Sequence, residues 1–164
     1  GQLTRTTMAG TDNVTARVGV PWEDLLADCV VIGCDSMLFV DGAPCGKPGS
    51  ADAARTQWES MAGTIGHLLT GHALLRIVGG VITHTDGDTG TTAVHFGTPT
   101  DVEITRYIAS GEPIQVAGAF TLDGLGGWFV ERIEGDPSNV IGISMPLVRR
   151  MVQGAGLSIT ELWT

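Results

Sequence analysis

The sequence predicts an α/β fold with a mixed sheet, and three observations support that class. Apolar, β-branched runs typical of strands alternate with segments that carry helix caps and helical spacing. The 24 glycines fall mostly in turn-like places between those segments. The 164 residues show no internal repeat and no linker. We therefore expect one domain over residues 1–164.

The first elements are predicted to be a helix and a hairpin. Pro21 suits the first turn of a helix over "PWEDLLAD". Residues 29–34, "CVVIGC", form the continuous apolar run of a strand buried on both faces, and residues 36–40, "SMLFV", form a second strand. Asp41-Gly42 between "SMLFV" and "APCG" is a strong signal for a two-residue hairpin turn.

Two capped helices are predicted next, with strands between them. Ser50 is placed to cap a helix over residues 51–63, and Thr100 to cap one over residues 101–111. Between them we expect a strand, a bend and a strand in "TIGHLLTGHALLRIV". A glycine-rich turn should then separate two strands in "GGVITHTDGDTGTTAVHF".

The last third is predicted to contain strand, helix and strand. "WFVERI" has the composition of a strand, and "NVIGISMPLVRRMVQGAG" is helical in parts, with Pro146 where a helix can begin. "LSITELW" is expected to form a closing strand.

Composition excludes several function classes. The formal net charge is −9 and no basic face is apparent, so we expect no nucleic-acid partner. No apolar run approaches the roughly 20 residues of a membrane span, and the polar start does not resemble a signal peptide. Three cysteines without a C-x-x-C pair predict buried, reduced thiols and a cytoplasmic location.

Asp35 and Lys47 are the first candidate site residues. Lys47 is the only lysine. A two-residue turn would place Ser36 opposite Lys47, and a three-residue turn would place Asp35 opposite it. In either register the carboxylate and the ammonium lie at one end of the hairpin, where "CVVIGC" ends and ligand clefts often form. Asp35 can act as a base or bind a cation, and Lys47 can meet a phosphate. The alternative is a surface ion pair.

A second candidate set lies in "EGDPSNVIG", which follows the predicted strand "WFVERI". These small polar residues suit ligand contacts, although on local evidence an N-capped turn is the better explanation. The set comprises Glu134, Asp136, Ser138 and Asn139. The glycine-rich "AGAFTLDGLGG" suits a loop whose backbone approaches a ligand, or a tight corner. No zinc spacing, P-loop or Ser-His-Asp pattern is present.

Several segments in the right order resemble the Maf family. They are "VIGCDSMLFVDGAPCGKP", "GHLLTG" and the long stretch from "TDVEITRYIASGEP" through "DGLGGWFVERIEGDPSNVIG" to "MPLV". They cover about residues 28 to 150, and they are most similar to actinobacterial members. The resemblance implies a fold like that of inosine triphosphate pyrophosphatase, with a mixed central sheet, flanking helices and a cleft.

The resemblance also implies an activity and residue roles. Family members hydrolyse nucleoside triphosphates to the monophosphate and pyrophosphate, clear non-canonical nucleotides and are linked to septum formation. Asp35 would be the general base and a metal contact, and Lys47 would contact the phosphates. Ser36 and Asp123 would set base specificity, and the four residues of "EGDPSNVIG" would contribute substrate contacts. The cofactor would be Mg²⁺, with Mn²⁺ as the alternative, and the assembly a homodimer.

Two departures from the family pattern qualify these expectations. The family opens with a strand ending in Ser-x-Ser-Pro-Arg and then an acidic motif, and neither occurs here. Two alternatives therefore stay open. The chain could be a non-enzymatic nucleotide-binding or division-regulating protein, or it could be another Mg²⁺-dependent phosphohydrolase. Asp123 replaces a glutamine usual in members that take thymidine and uridine triphosphates. An ionised aspartate only accepts hydrogen bonds, so we expect a base that presents an amino or imino donor.

Overall fold

A five-stranded sheet dominates the computed structural model, which describes residues 26–163. Its strands, in chain order, are β1 (Asp28–Val40), β2 (Ala43–Cys45), β3 (Ile65–Val78), β4 (Val81–Phe96) and β5 (Val130–Glu134). Their order across the sheet is β2-β1-β3-β4-β5. The α/β class is confirmed. All four pairings within residues 26–163 are antiparallel, so the expected mixture of parallel and antiparallel strands is not found there.

The β1–β2 hairpin has the predicted two-residue turn. Val40 pairs with Ala43 across it, and Asp41 and Gly42 both have positive φ, at 50° and 79°. Two consecutive positive φ values match the twist of an antiparallel hairpin, and Asp-Gly tolerates them. β2 ends at Cys45, so Lys47 lies in the coil that follows rather than directly opposite Ser36.

Three predicted strand breaks are wrong. β1 runs without interruption through Asp35, β3 through the Thr70-Gly71 pair, and β4 through the glycine-rich segment 87–90. Gly33 lies opposite Ala73 and Gly71 lies opposite Asp35, so the glycines are ladder positions rather than turns. The pairing of long neighbouring strands overrides the local tendency of glycine and aspartate to end a strand.

The helices are α1 (Ala51–Met61), α2 (Asp101–Ala109), α3 (Pro137–Ile141) and α4 (Met145–Gly154). The predicted caps are confirmed, because Ser50 accepts a hydrogen bond from Ala53 N and Thr100 forms a capping box with Glu103. Pro146 lies in the first turn of α4 as expected. "LSITELW" is not a strand, since Ile159–Leu162 is a 3₁₀ turn capped by Ser158. The predicted helix in "PWEDLLAD" lies largely outside the described residues.

Two apolar clusters cover different ends of the sheet. The larger one surrounds Trp58 of α1, whose ring meets Phe96, Tyr107 and Phe129 edge to face at 5.6–5.9 Å between centroids. The indole Nε1 donates to Ala119 O at 2.8 Å, so the buried ring also has its polar partner. The smaller cluster packs α4 against Leu74 of β3.

The first half of β1 is less covered than the sequence predicts. The apolar run "CVVIGC" predicts burial on both faces, but among residues 29–34 none is fully buried and Val31 is 47% exposed. The thiols differ from the prediction as well, because Cys34 is exposed and Cys29 and Cys45 are half-buried. None of the three forms a disulfide within the described residues. Within residues 26–163, no helix combines the length and apolarity needed to cross a bilayer.

Candidate active site

A cleft of about 310 Å³ brings four of the predicted site residues together. Asp35, Ser36, Lys47 and Asp123 all line it. One side is formed by β1, and we call Asp35 and Ser36 the strand wall. Residues 121–123 also line it, and we call the loop to which they belong, residues 121–126, the loop wall. The C-terminal end of α3 lines the cleft as well.

The strand wall is fixed by the sheet and by a chain of hydroxyl groups. Asp35 lies opposite Gly71 in the middle of β1, and its Oδ1 accepts from Ser36 N at 3.0 Å. Ser36 Oγ lies 2.8 Å from Thr70 Oγ1 on the neighbouring strand. Thr70, which is fully buried, donates to the backbone oxygen of Asn139 at 2.9 Å. The strand wall is therefore bonded through β3 to α3.

Lys47 is positioned by the backbone on either side of it. Gly46 O accepts from the side chain of Gln57 at 3.2 Å and from Gly118 N at 3.3 Å, and Gly49 N donates to Ile114 O at 3.0 Å. These bonds tie the coil after β2 to α1 and to segment 114–118. Among the described residues that line the cleft, Lys47 is the one cation.

The loop wall is organised by the carboxylate of Glu112. Its Oε1 accepts from Thr121 Oγ1 at 2.6 Å, from Gly126 N at 2.9 Å and from Tyr107 OH at 3.0 Å. Its Oε2 accepts from Leu125 N at 2.9 Å. The loop therefore wraps around a single carboxylate, which holds Asp123 at the cleft.

Electrostatics and packing agree with that role for Glu112. Burial raises the pKa of its carboxyl, but the hydrogen bonds from Thr121, Leu125, Gly126 and Tyr107 outweigh burial and leave the pKa below its usual range. Burial and the neighbouring carboxylate both raise the pKa of Tyr107, so its hydroxyl stays a donor. A Cβ on Gly126 would lie 2.5 Å from Tyr107 OH, which explains the glycine at that position.

The second candidate set, from "EGDPSNVIG", lies outside this cleft. Glu134 ends β5 and pairs with Arg132 at 2.6 Å and with His95 at 3.1 Å. Asp136 caps α3, as the capped-turn alternative predicts, and accepts from Ser138 Oγ at 2.7 Å and Ser144 Oγ at 2.6 Å. None of Glu134, Asp136, Ser138 and Asn139 lines the cleft of Asp35 and Lys47.

Asn139 instead anchors α3 to the sheet. The side chain is fully buried, and its Nδ2 donates to Leu68 O at 3.3 Å and to Thr92 Oγ1 at 3.2 Å. Its Oδ1 faces the backbone of Gly90 and finds no donor in the part of the chain that the structure describes. Any larger residue at position 90 would displace this amide.

Sequence reasoning missed three residues that organise the site: Thr70, His72 and Glu112. His72 is buried and accepts from Ser144 N through Nε2 at 2.8 Å, so Nδ1 carries the proton that it donates to Thr70 O at 2.9 Å. The segment "GHLLTG" carries Thr70 as part of the family resemblance, but no local pattern distinguishes these internal bonds. The partners of Glu112 are 5 to 14 residues away, and no short motif encodes them.

A larger cavity lies away from the predicted residues. It measures about 600 Å³ and is lined by residues that include Arg106, Trp128 and Glu131. None of the candidate site residues lines it. Volume alone does not locate chemistry. This cavity also holds two carboxylates and a cation, Glu103, Glu131 and Arg106, and the smaller cleft is preferred because it collects the predicted residues Asp35, Lys47 and Asp123.

Comparison with known proteins decides the family. A family model described as "Maf-like protein" matches residues 4–155. The chain belongs to the Maf family. This membership confirms the resemblance predicted from "VIGCDSMLFVDGAPCGKP" and the later segments.

Similar proteins come from actinobacteria and share one name. A protein of Mycolicibacterium vanbaalenii is 77% identical over 141 residues, which is 86% of this chain and 68% of that protein. A protein of Rhodococcus opacus is 57% identical over 140 residues, 85% of this chain and 65% of that protein. Both are named nucleoside triphosphate pyrophosphatase. The match spans about two thirds of the length of each relative, and the actinobacterial character predicted from the motifs is confirmed.

Proposed function

We propose that this Maf family chain is a nucleoside triphosphate pyrophosphatase, a hydrolase that cleaves a triphosphate into the monophosphate and pyrophosphate. The observation that carries the proposal is the cleft in which Asp35 of β1 and Lys47 of the following coil line one space. Family membership and the shared name of the similar proteins support it.

In the proposed reaction Asp35 is the general base. One carboxylate oxygen accepts from Ser36 N, which orients the group. The other oxygen is available to take a proton from a water molecule. That water attacks the α-phosphorus, the bond from phosphorus to the bridging oxygen breaks, and pyrophosphate leaves with its electron pair. Lys47 balances negative charge on the departing phosphates.

A divalent cation fits this donor set as an ion shared with the substrate. Mg²⁺ usually binds through one or two carboxylates together with substrate phosphates. Within residues 26–163 no three carboxylate, imidazole or thiol groups converge to hold a metal, so Asp35 would supply the protein ligand and the triphosphate the rest. When bound, Mg²⁺ neutralises polyphosphate charge, which a chain with a net charge of −9 otherwise repels.

The domain, its location and its assembly complete the proposal. We propose that residues 1–164 belong to one Maf-like domain, in which the given residues do not include the family's Ser-x-Ser-Pro-Arg motif. The upstream coding sequence, read for that motif, tests this point. A cytoplasmic homodimer with a link to septum formation is proposed on the family resemblance. Analytical ultracentrifugation tests the dimer, and a single monomer boundary at micromolar protein would contradict it.

The activity is tested by pyrophosphate release from a panel of nucleoside triphosphates with Mg²⁺. We expect release by the wild type and a loss of at least about 100-fold in Asp35→Asn, the scale of general-base catalysis. Asp41→Asn is the matched control, because position 41 lies at the exposed tip of the same hairpin and Asn-Gly keeps the turn. No pyrophosphate from intact wild type contradicts the proposal, and release of orthophosphate would indicate a different phosphohydrolase.

A further inference from the structure

The larger cavity, beside Arg106 and Trp128, differs in construction from the cleft of Asp35. It measures about 600 Å³, which is enough for a small organic ligand. Two aromatic residues, Tyr107 and Phe129, line it, and their ring centroids lie 5.5 Å apart. Trp128 lines it as well and is 85% exposed. An exposed indole that lines a cavity indicates a binding surface, because the ring leaves a large apolar area in water.

The charged side chains of this cavity favour a positively charged ligand. Glu103 and Glu131 bring two carboxylates, and Arg106 brings one guanidinium. None of the three forms a salt bridge within residues 26–163, and two negative charges against one positive charge leave an excess of one negative charge. The net charge of −9 on the whole chain adds to the attraction of a cation and to the repulsion of a phosphate.

Both carboxylates are available to a ligand. Glu103 Oε2 accepts from Thr100 N at 2.6 Å and from Thr100 Oγ1 at 2.8 Å. These bonds lower the pKa of Glu103, so the group is ionised at neutral pH. Its Oε1 accepts no hydrogen bond from the residues that the structure describes. Glu131 Oε1 lies beside Gly97, where a Cβ would be 3.3 Å from it, so the glycine leaves room for this carboxylate.

The cavity and the cleft share the loop wall. Asp123 of this loop lines the cleft, and Leu125 lines the cavity. Leu125 N donates to Glu112 Oε2 at 2.9 Å, and the hydroxyl of Tyr107 donates to Glu112 Oε1 at 3.0 Å. A ligand in the cavity therefore contacts two of the residues that hold the Glu112 carboxylate, and through them the loop.

We propose that this cavity binds a guanidinium or primary ammonium group carried on an apolar stem, and that the bound ligand stabilises the loop wall. The cationic group is attracted by the carboxylates of Glu103 and Glu131 and lies against the indole of Trp128. The stem covers Leu125, which is 50% exposed. The inference goes beyond the proposed hydrolysis and does not depend on it, because it concerns a second site and is tested by binding.

The first test compares n-butylguanidinium with n-butylurea, which has nearly the same shape but no charge. Binding is followed by NMR at the indole N–H of Trp128 and the amide of Leu125. We expect saturable shifts with the guanidinium compound and about fivefold weaker binding of the urea, which lacks the cation–π and ionic contacts. Equal affinities of the two compounds, or tighter binding of n-butylphosphate, overturn the inference.

A peptide probe identifies the source of the cationic group. Acetyl-Gly-Arg-Gly-amide presents the same guanidinium on a polypeptide. Tighter binding of the peptide than of n-butylguanidinium supports the site and indicates a partner protein, whereas the reverse order supports it and indicates a free amine or guanidine. If neither compound gives a saturable shift, the cavity binds no such cation and the inference is overturned.

Three variants test the charges and the indole. Arg106→Gln removes the competing positive charge and should tighten binding of n-butylguanidinium about threefold, a gain that damage to the fold does not produce. Glu131→Gln and Trp128→Ala should each weaken it about threefold. Glu59→Gln and Trp163→Ala are the matched controls, since both positions are exposed and lie outside the cavity. Weaker binding by Arg106→Gln would show that the ligand is not a cation.

Amide hydrogen exchange tests the effect on the loop wall. A ligand that binds only while the loop is folded against Glu112 shifts the local opening equilibrium by mass action, so at about ten times its Kd the exchange of Leu125 and Gly126 should slow about tenfold. The same concentration of n-butylurea is the control and should slow exchange less. Unchanged exchange at these two amides with the cavity saturated would overturn the link between the cavity and the loop wall.

Discussion

The strand wall and the loop wall of the cleft present similar chemistry but are held in different ways. Asp35 and Ser36 belong to β1, where both pair with β3, and residues 38–40 of the same strand also pair with β2. Asp123 belongs to a loop whose shape depends on one carboxylate, that of Glu112. Sheet residues move only when the domain opens, whereas a loop held by one side chain can open locally. Asp35 and Ser36 thus stand on the rigid wall and Asp123 on the adjustable one.

Replacing Trp58 should give the largest loss of stability, because its side chain supports the backbone that leads into the loop wall. Its side chain is 1% exposed, and Nε1 bonds Ala119 O. Trp58→Ala should lower the free energy of unfolding by about 3–5 kcal/mol, as for other buried tryptophans. Urea unfolding measures it. Trp128→Ala is the control, since that ring is 85% exposed and should change stability by less than about 0.5 kcal/mol. Equal losses in the two variants would show that Trp58 is not the centre of this core.

Replacing Asn139 should give the next largest loss of stability, on the side of the strand wall, which is bonded to Asn139 through Thr70. Asn139→Ala removes the donor to Leu68 O and Thr92 Oγ1 and leaves a cavity under α3. We expect a loss of about 2–3 kcal/mol in the free energy of unfolding, from unsatisfied buried groups. Gln153→Ala on the exposed face of α4 is the control. If Asn139→Ala is as stable as Gln153→Ala, α3 is held by packing rather than by this amide.

Replacing Glu112 should give the smallest change in the free energy of unfolding of the three. Its effect should be confined to the loop wall. In Glu112→Gln the amide group replaces one acceptor, so the N–H of Leu125 or of Gly126 loses its partner. We expect a loss of about 1 kcal/mol and faster amide hydrogen exchange confined to Leu125 and Gly126.

The same variant tests the pH dependence. The pKa of Glu112 is lower in the folded chain than in the unfolded one, so the folded state binds fewer protons. The contribution of Glu112 to the free energy of unfolding is therefore lost as pH falls below about 4. Glu112→Gln should lack that part of the acid sensitivity, whereas Glu59→Gln, exposed on α1, should keep it. For the exchange experiment, amide hydrogen exchange that becomes equally faster across the sheet in Glu112→Gln would show that the two walls open together.

The sequence predicts the features that depend on neighbouring residues. The Asp41-Gly42 turn, the Ser50 and Thr100 caps and the start of α4 near Pro146 are local, and all are confirmed. That turn brings Lys47 to the cleft of Asp35.

Features that depend on distant partners are not predictable in the same way. Asp35, Gly71 and Gly87 suggest breaks, yet they lie inside β1, β3 and β4 because the neighbouring strands supply the pairing. The role of Glu112 depends on donors up to 14 residues away. Asn139 is a candidate in the sequence because of its polar side chain, but only the fold shows that this side chain is buried against β3 and β4.

We expect the nucleotide in the cleft between the two walls rather than in the larger cavity beside Arg106 and Trp128. A crystal structure with Mg²⁺ and a triphosphate analogue that cannot be cleaved between the α- and β-phosphorus tests this directly. The phosphates should lie against Lys47 and Asp35, and the base between Ser36 and Asp123. A nucleotide seated beside Arg106 and Trp128, with the cleft of Asp35 empty, would contradict that placement.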